Sequence, residues 1–307
     1  MKFILLFFQN PFIIFKVLIN INFFKTHNKQ FFKKNLYEKL KMISNTKPNT
    51  SLFTILSDTH NAHRQFTLPQ SKYLLLCGDF TYRSRNVKDV VKWIDEQPVE
   101  KVISILGNHE SLFPERIWKK LRRGRKEIHC LNGAIENIDE FQFIGSNYPF
   151  HIKEKEMKKR DPSKPLICLT HEPPFNIMDY GIRKRQILTG EFFHAGSHEV
   201  KHFVQKYQPS LHCFGHCHSS HGIMKVGNTL HVNCAIVDDN NILAFKPIQI
   251  EYNHQTKQFR PLDERKCISL TEFLKQFTEH PLSYLQRSRE YNSTIQKKRK
   301  EISNALK

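Results

Sequence analysis

Five short segments of the sequence place carboxylate, amide or imidazole side chains close together. They are DTH at 58–60, GDF at 78–80, GNHE at 107–110, THEPP at 170–174 and GHCH at 215–218. Mixed oxygen and imidazole ligands suit Mn, Fe or Zn, and the absence of cysteine among the candidates argues against a purely structural zinc site. The candidate side chains are Asp58, His60, Asp79, Asn108, His109, His171, His216 and His218.

These candidates are too many for a single metal ion, because an ion in a protein takes about four to six ligands. We therefore predict two ions about 3.5–4 Å apart that share one bridging carboxylate, as in sites that cleave phosphoesters. Asp79 is the best candidate for the bridge, because Gly78 before it lets the backbone turn tightly. Cys213 and Cys217 have no second cysteine pair at zinc-finger spacing, so we expect them to be packing residues.

Each segment follows a short apolar run that is typical of a strand buried on both faces. Between these runs the sequence predicts helices over 87–96, 114–123 and 198–207. Strands that alternate with helices indicate an α/β fold, in which ligands bind outside the carboxyl ends of the strands. The five segments should therefore meet at one site, although Asp58 and His216 are far apart in the chain.

The later part of the sequence predicts antiparallel strands. GIMKV and TLHVN flank a Gly227–Asn228 turn, and the run ILAFKPIQIEY follows at 242–252. We predict that residues 51–265 form the folded domain that contains the five polar segments. Residues 1–50 would be a basic, apolar extension, and residues 266–307 a helical, basic segment.

The net charge of +19 is concentrated at the two ends of the chain. Residues 1–50 hold nine lysines against one glutamate, and residues 281–307 hold seven lysines and arginines against two glutamates. Such ends are either solvated tails or sites of contact with nucleic acid or an anionic membrane. No segment indicates an obligate protein partner.

The first residues do not have the sequence pattern of a membrane-spanning helix. The apolar run Phe3–Phe8 is shorter than a signal peptide needs, and Pro11 and Lys16 interrupt the segment that follows. We expect an extension outside the fold, with a membrane-surface anchor, a poor signal peptide or a disordered segment as alternatives. Seven cysteines, mostly in apolar runs, suit reduced thiols in the cytoplasm; membrane association through the N-terminal segment is the alternative.

The ordered set of motifs resembles the calcineurin-like metallophosphoesterase superfamily, whose pattern is D-x-H, GD, GNH[DE], H and GHxH. The resemblance covers residues 52–235, and ILSDTHN, GDFT and QPSLHCFGHCH are similar to the metallophosphoesterase domain-containing protein group. It implies a four-layer αββα sandwich of two mixed β-sheets flanked by helices, with the metal site at the strand carboxyl ends.

The resemblance also implies roles for the individual residues. His109 would be the catalytic imidazole, next to a metal-binding Asn108. The substrate pocket would be lined by His194 and Gly196, although a sharp turn before a helix explains Gly196 equally well. From its place after the GHCH motif, His221 is either a substrate contact or a solvent-facing residue. The first ion would be held by Asp58, His60, Asp79 and His218, and the second by Asp79, Asn108, His171 and His216.

Two positions depart from the patterns of the superfamily. Its protein phosphatases carry an acidic residue three positions after the bridging aspartate, where this chain has Tyr82, which leaves open how His109 is oriented. Glu172 stands where the closer group usually has glycine, and either narrows the site or faces solvent.

The function expected is that of a metal-dependent phosphoric ester hydrolase with two divalent cations, Mn, Fe or Zn. The resemblance favours a phosphodiesterase acting on a small diester such as a cyclic nucleotide. The alternatives are a phosphomonoesterase, a protein phosphatase or a nuclease of the same fold, and a scaffold that has lost the chemistry. All the expected ligands are present, which argues against the scaffold.

Overall fold

The computed structural model describes residues 49–182 and 192–262. The segment predicted to be helical over 266–307, and all but the last two residues of the extension predicted over 1–50, lie outside these ranges. The domain boundaries therefore stay predictions. None of the helices in the two described ranges is long and apolar enough to cross a lipid bilayer.

Fourteen strands lie in the described ranges. In chain order they are β1 (Thr50–Leu56), β2 (Ser71–Cys77), β3 (Val99–Ile105), β4 (Glu127–Cys130), β5 (Glu136–Ile138), β6 (Phe141–Gly145), β7 (Leu166–Leu169), β8 (Tyr180–Ile182), β9 (Phe192–His194), β10 (Leu211–Phe214), β11 (Gly222–Val226), β12 (Thr229–Asn233), β13 (Ile248–Asn253) and β14 (Gln258–Pro261).

Twelve of these strands form two mixed six-stranded sheets. The first sheet has the order β14-β13-β1-β2-β3-β4, with β1 to β4 parallel and β13 and β14 antiparallel. The second has the order β11-β12-β10-β7-β6-β5, with a parallel centre and an antiparallel strand at each edge. Strands β8 and β9 form a separate antiparallel pair.

In the described parts of the chain, four α-helices accompany the sheets: α1 (Val87–Glu96), α2 (Pro114–Leu121), α3 (Glu154–Met157) and α4 (His198–Tyr207). Helix α1 buries Val87, Val90 and Ile94, at the spacing of one helical face. Helix α2 begins with a proline at its first turn, where the missing N–H costs nothing. Helix α4 is capped by Ser197, whose hydroxyl accepts from the backbone N–H of Val200.

Side-chain alternation along the strands produces the layers. On β2, Tyr73 and Leu75 join the core between the two sheets, whereas Leu74 and Leu76 pack in the cluster that contains the buried faces of α1 and α2. On the second sheet, Leu166 packs outward in the cluster that contains the apolar face of α4. The predicted α/β sandwich of four layers is confirmed.

Most predicted elements agree with the structure. The helices predicted over 87–96 and 198–207 have these bounds, whereas α2 ends at Leu121 because a tight turn closes there, with the Gly124 N–H donating to the Leu121 carbonyl. The hairpin predicted around Gly227–Asn228 is formed by β11 and β12, with Val226 opposite Thr229.

Candidate metal centre

The five polar segments meet at the carboxyl ends of parallel strands from both sheets. Three follow β1, β2 and β3 of the first sheet, and two follow β7 and β10 of the second. The sheets are joined at this end by Ser57, whose N–H donates to the Cys234 carbonyl at 2.9 Å and whose carbonyl accepts from Ile236 at 3.1 Å. The convergence that the sequence predicts is therefore present, and it is built from two sheets.

One group of side chains gathers around Asp58. His218 Nε2 lies 3.2 Å from Asp58 Oδ1, and His60 Nε2 lies 3.4 Å from His218 Nε2 and 3.9 Å from the same carboxylate oxygen. The Asp58 side chain is buried, and its other oxygen accepts from the backbone N–H of His216 at 2.9 Å. These three side chains can offer one donor atom each to a common cation.

A second group gathers around the side-chain oxygen of Asn108. His171 Nε2 lies 2.9 Å from this oxygen, and His216 Nδ1 lies 3.1 Å from it. The Tyr148 ring stacks on His216 at 6.1 Å and meets His171 edge-on at 6.2 Å.

Asp79 lies between the two groups. Its Oδ2 is 4.0 Å from His60 Nε2, 3.4 Å from His171 Nε2 and 3.8 Å from His109 Nε2. Its Oδ1 accepts from the backbone N–H of His109 at 2.8 Å, which fixes the carboxylate. This is the place that a bridging carboxylate has to take.

Main-chain carbonyls orient two of the imidazoles. His171 Nδ1 donates to the Cys77 carbonyl and His218 Nδ1 donates to the Asp238 carbonyl, each at 2.9 Å. Because a carbonyl only accepts, Nδ1 of each ring carries a proton; in the neutral form that a metal ligand needs, this is the only ring proton, and the Nε2 lone pair then points toward the carboxylates. Metal-bound histidines are oriented in this way, so the donor set fits a divalent cation.

Backbone conformation at the site is unusual. Asp58, His60, Asp79 and His216 have φ between 42° and 66°, in the left-handed region that residues with a Cβ rarely adopt. Such conformations cluster at functional sites, where the surroundings hold them. A Cβ on Gly215 would stand 2.1 Å from Asp58 Oδ2, so only glycine lets the GHCH turn approach this carboxylate.

The carboxylates set the proton affinity of the imidazoles. Burial lowers the pKa of His171, but the charge and hydrogen bond of Asp79 raise it to about 10. Burial also opposes protonation of His218, whose hydrogen bond to Asp58 raises its pKa to about 9. Burial lowers the pKa of His60 to about 4, although the charge of Asp58 raises it.

The structure shows how His109 is oriented without an acidic partner at position 82. The backbone N–H of Arg83 donates to His109 Nδ1 at 3.3 Å, so the ring proton of the neutral imidazole sits on Nε2, the atom that faces Asp79. The Ser84 hydroxyl donates to the His109 carbonyl at 3.0 Å, and the Tyr82 ring lies 4.9 Å from the imidazole.

Glu110 is a site residue whose role the sequence reasoning missed. Its buried carboxylate accepts from the backbone N–H groups of Asp79 at 2.9 Å and Gly107 at 3.2 Å, and from Thr81 through both its N–H and its hydroxyl. Glu110 therefore ties the second and third motif loops together. In the sequence, this role could have been suggested by the glutamate that ends the GNHE motif.

Glu172 does not simply face solvent. Burial raises the pKa of its carboxyl, while the backbone N–H of Phe150 and the charge of His171 lower it. The carboxylate of Glu172 is therefore half-buried and near enough to His171 for the two charges to interact.

Two of the predicted substrate contacts, His194 and Gly196, form hydrogen bonds with the side chain of Asp179. His194 Nδ1 lies 2.9 Å from Oδ1 of the buried Asp179, and its ring lies 4.6 Å from that of Tyr180. The Gly196 N–H donates to Asp179 Oδ2, and a Cβ there would stand 2.7 Å from the Pro174 carbonyl, so close packing accounts for this glycine.

The third predicted contact, His221, is positioned by a backbone carbonyl and an aromatic ring. Its Nδ1 donates to the Ala235 carbonyl at 2.7 Å and its ring stacks on Phe245 at 4.3 Å. The role of His194, Gly196 and His221 toward a substrate stays a prediction.

The cysteines and the remaining histidine of the GHCH region are packing residues. Cys213 is fully buried between the sheets, and the Cys217 thiol donates to the Asp179 carbonyl at 3.4 Å. His212 is buried, with Nε2 2.9 Å from the Thr170 hydroxyl and Nδ1 3.3 Å from that of His231.

Sequence comparisons match the chain to a known family. The model of the family described as calcineurin-like phosphoesterase matches residues 51–220. The chain is 28% identical over 240 residues to human metallophosphoesterase domain-containing protein 1, covering 66% of this chain and 72% of the human protein. It is 27% identical over 219 residues to a UPF0046 protein of Caenorhabditis elegans, covering 63% of this chain and 72% of the nematode protein.

Among solved structures, one described as a novel archaeal phosphodiesterase matches with a TM-score of 0.40 and 15% identity, over 69% of this chain and 98% of that one. The family match spans more than half of the chain, from β1 through the last of the five motif loops. The chain therefore belongs to the calcineurin-like phosphoesterase family.

Proposed function

We propose that the protein is a dinuclear-metal phosphodiesterase. The observation that carries the proposal is the place of Asp79, whose carboxylate stands between the group around Asp58 and the group around Asn108. Two divalent cations, when bound, supply Lewis acidity and a water of lowered pKa. Their ligands are Asp58, His60, Asp79 and His218 for one ion, and Asp79, Asn108, His171 and His216 for the other.

His109 supplies a hydrogen-bond donor for the leaving group. Its Nε2–H faces the site, because Nδ1 accepts from the Arg83 amide. The leaving group departs as an alkoxide or phenoxide, and the Nε2–H of His109 donates a hydrogen bond that stabilises the charge developing on that oxygen as its bond to phosphorus breaks. Loss of one such donor typically costs about 10²–10³-fold in turnover.

Glu172 supports a diester rather than a monoester substrate. Its carboxylate is half-buried next to His171, where it repels a further negative charge. A phosphodiester carries one negative charge, whereas a phosphomonoester carries up to two near neutral pH. Cyclic nucleotides belong to the substrate class that fits this preference.

The test combines metal analysis with two chromogenic substrates in the presence of Mn²⁺. We expect bis(4-nitrophenyl) phosphate to be hydrolysed faster than 4-nitrophenyl phosphate. Glu172→Gln should lower the ratio of diester to monoester turnover. Glu100→Gln, which changes an exposed glutamate on β3, is the matched control. Faster turnover of the monoester contradicts the diesterase, and a fully metal-loaded protein without turnover of either substrate identifies a scaffold.

A further inference from the structure

Two loops beside His109 expose large apolar side chains. Leu112 is 80% exposed, Phe113 is 59% exposed and Tyr82 is 39% exposed. Within 49–182 and 192–262, these are three of the six large apolar residues that are exposed. We call Tyr82, Leu112 and Phe113 the apolar rim.

The apolar rim is attached to the metal centre. The Tyr82 ring packs against His109, and the Ser84 hydroxyl holds the loop of Tyr82 to the His109 carbonyl. On the other loop, the Phe113 N–H donates to the Glu110 carbonyl, and the Phe113 carbonyl accepts from Ile117 in α2. The rim is therefore presented at a fixed place beside the candidate catalytic imidazole.

Exposed cationic side chains lie next to the apolar rim in the sequence. Arg83 and Arg85 are exposed on the first loop, and Arg116 and Lys119 are exposed on the first turns of α2. The Arg83 guanidinium lies over the Tyr82 ring at 5.4 Å. The neighbouring acidic groups are Glu115, which is exposed, and Asp89, which is paired with Arg64 at 2.8 Å. The balance is cationic.

A protruding apolar pair among cations fits a lipid surface better than a small soluble ligand. Small ligands are held in concave pockets, whereas Leu112 and Phe113 project into solvent. At a bilayer, Leu and Phe enter the headgroup–acyl boundary, Tyr lies at the headgroup level, and Arg and Lys attract anionic lipids.

We infer that the apolar rim and its flanking cations dock the protein on an anionic bilayer, with the metal centre over a phosphodiester at the lipid surface. The docking is independent of catalysis. The lipid-surface substrate rests on the proposed phosphodiesterase function.

Sedimentation of the full chain with vesicles tests the docking. We expect the protein to bind phosphatidylcholine vesicles that contain phosphatidylserine, and to bind pure phosphatidylcholine at least about tenfold more weakly. Leu112→Ser with Phe113→Ser should weaken binding about tenfold or more, because the apolar anchor is lost. Arg116→Gln with Lys119→Gln should weaken binding only to the anionic vesicles. Leu262→Ser, at a 42% exposed leucine elsewhere, is the matched control.

Turnover of soluble bis(4-nitrophenyl) phosphate separates docking from catalysis, and all three variants should retain it. Wild-type affinity of the Leu112/Phe113 variant overturns the inference and moves any docking to another part of the chain. Loss of soluble turnover in that variant, with vesicle binding intact, also overturns it, because the pair then contacts the substrate. Vesicle binding that depends on the rim, in a protein without turnover, refutes the proposed phosphodiesterase and leaves the docking surface standing.

Discussion

At the scale of single residues, a backbone amide orients the candidate catalytic imidazole. His109 accepts the Arg83 N–H at Nδ1, so its Nε2 carries the proton whatever side chain stands at position 82. An acidic partner would accept from the imidazole and stabilise its charged form. A backbone N–H can only donate, so Nδ1 of His109 accepts from it. This arrangement presents the Nε2–H of His109 to the site as a hydrogen-bond donor.

Replacing His109 with Ala should lower kcat on bis(4-nitrophenyl) phosphate by about 10²–10³-fold, because the Nε2–H that stabilises the leaving oxygen is lost. Bound metal should stay close to the wild-type amount, because no assigned ligand changes. Steady-state kinetics and elemental analysis on the same preparation measure both. A matching loss of metal would show that His109 is a ligand and that its assigned role is wrong.

Metal binding should release protons from His171 and His218. Their pKa values in the metal-free protein are raised to about 10 and about 9, so both are protonated near neutral pH. A cation needs the neutral imidazole, so binding displaces about two protons. Because protons compete with the cation below these pKa values, affinity should rise as pH rises toward about 9–10.

Titration calorimetry of Mn²⁺ binding in buffers of different ionisation enthalpy measures these protons. His218→Asn should reduce the release by about one proton, because one competing group is removed. A heat of binding that does not depend on the buffer would contradict the assignment of both histidines.

The sequence predicted the candidate ligands better than the groups that orient them. Asp58 and His171 have metal-preferring side chains at strand ends, and this signal lies in residue type and position. The carbonyl of Cys77 and the amide of Arg83 are present at every residue, so nothing in the sequence marks them as partners. Glu110 is intermediate, since its type was visible but its three backbone partners were not.

At the scale of elements, the motif loops form one unit because Glu110 joins two of them. Replacing Glu110 with Gln puts an NH₂ group against backbone N–H donors, which leaves buried polar groups unsatisfied. We expect a loss of about 1–3 kcal/mol in the free energy of unfolding. Metal affinity should fall about 10–100-fold, because this is the usual effect of removing a residue that holds metal ligands in place.

Urea denaturation and Mn²⁺ titration measure the two effects of Glu110→Gln. Glu115→Gln is the matched control, since that side chain is exposed on the first turn of α2. If both variants unfold at the same urea concentration as the wild type, Glu110 does not hold the loops together.

Element prediction succeeded where periodicity extends over two turns or more. Helices α1 and α4 each carry ten residues with a regular apolar face, and their bounds agree with the prediction. Strands β4 and β5 were missed because they have four and three residues and carry polar side chains. So short a run has no readable period, and its pairing with β3 or β6 supplies the strand conformation.

At the scale of the whole molecule, the candidate ligands come from both sheets. Asp58, His60, Asp79 and Asn108 follow strands of the first sheet, and His171, His216 and His218 follow strands of the second. The core between the sheets is apolar, so its packing defines the distance between these two sets but supplies no chemistry. Bound cations would join the sheets at the carboxyl ends of their strands.

Metal binding should therefore stabilise the whole domain against unfolding. At free Mn²⁺ about a hundredfold above the dissociation constant, a ligand that binds only the folded state contributes about 2.7 kcal/mol. For a domain of this size, that raises Tm by about 5–10 °C over the EDTA-treated protein. Asp79→Asn should lose most of the increase, because both groups share this carboxylate. Scanning calorimetry with and without Mn²⁺ measures the shift, and an Asp79→Asn shift equal to that of the wild type would falsify the bridge.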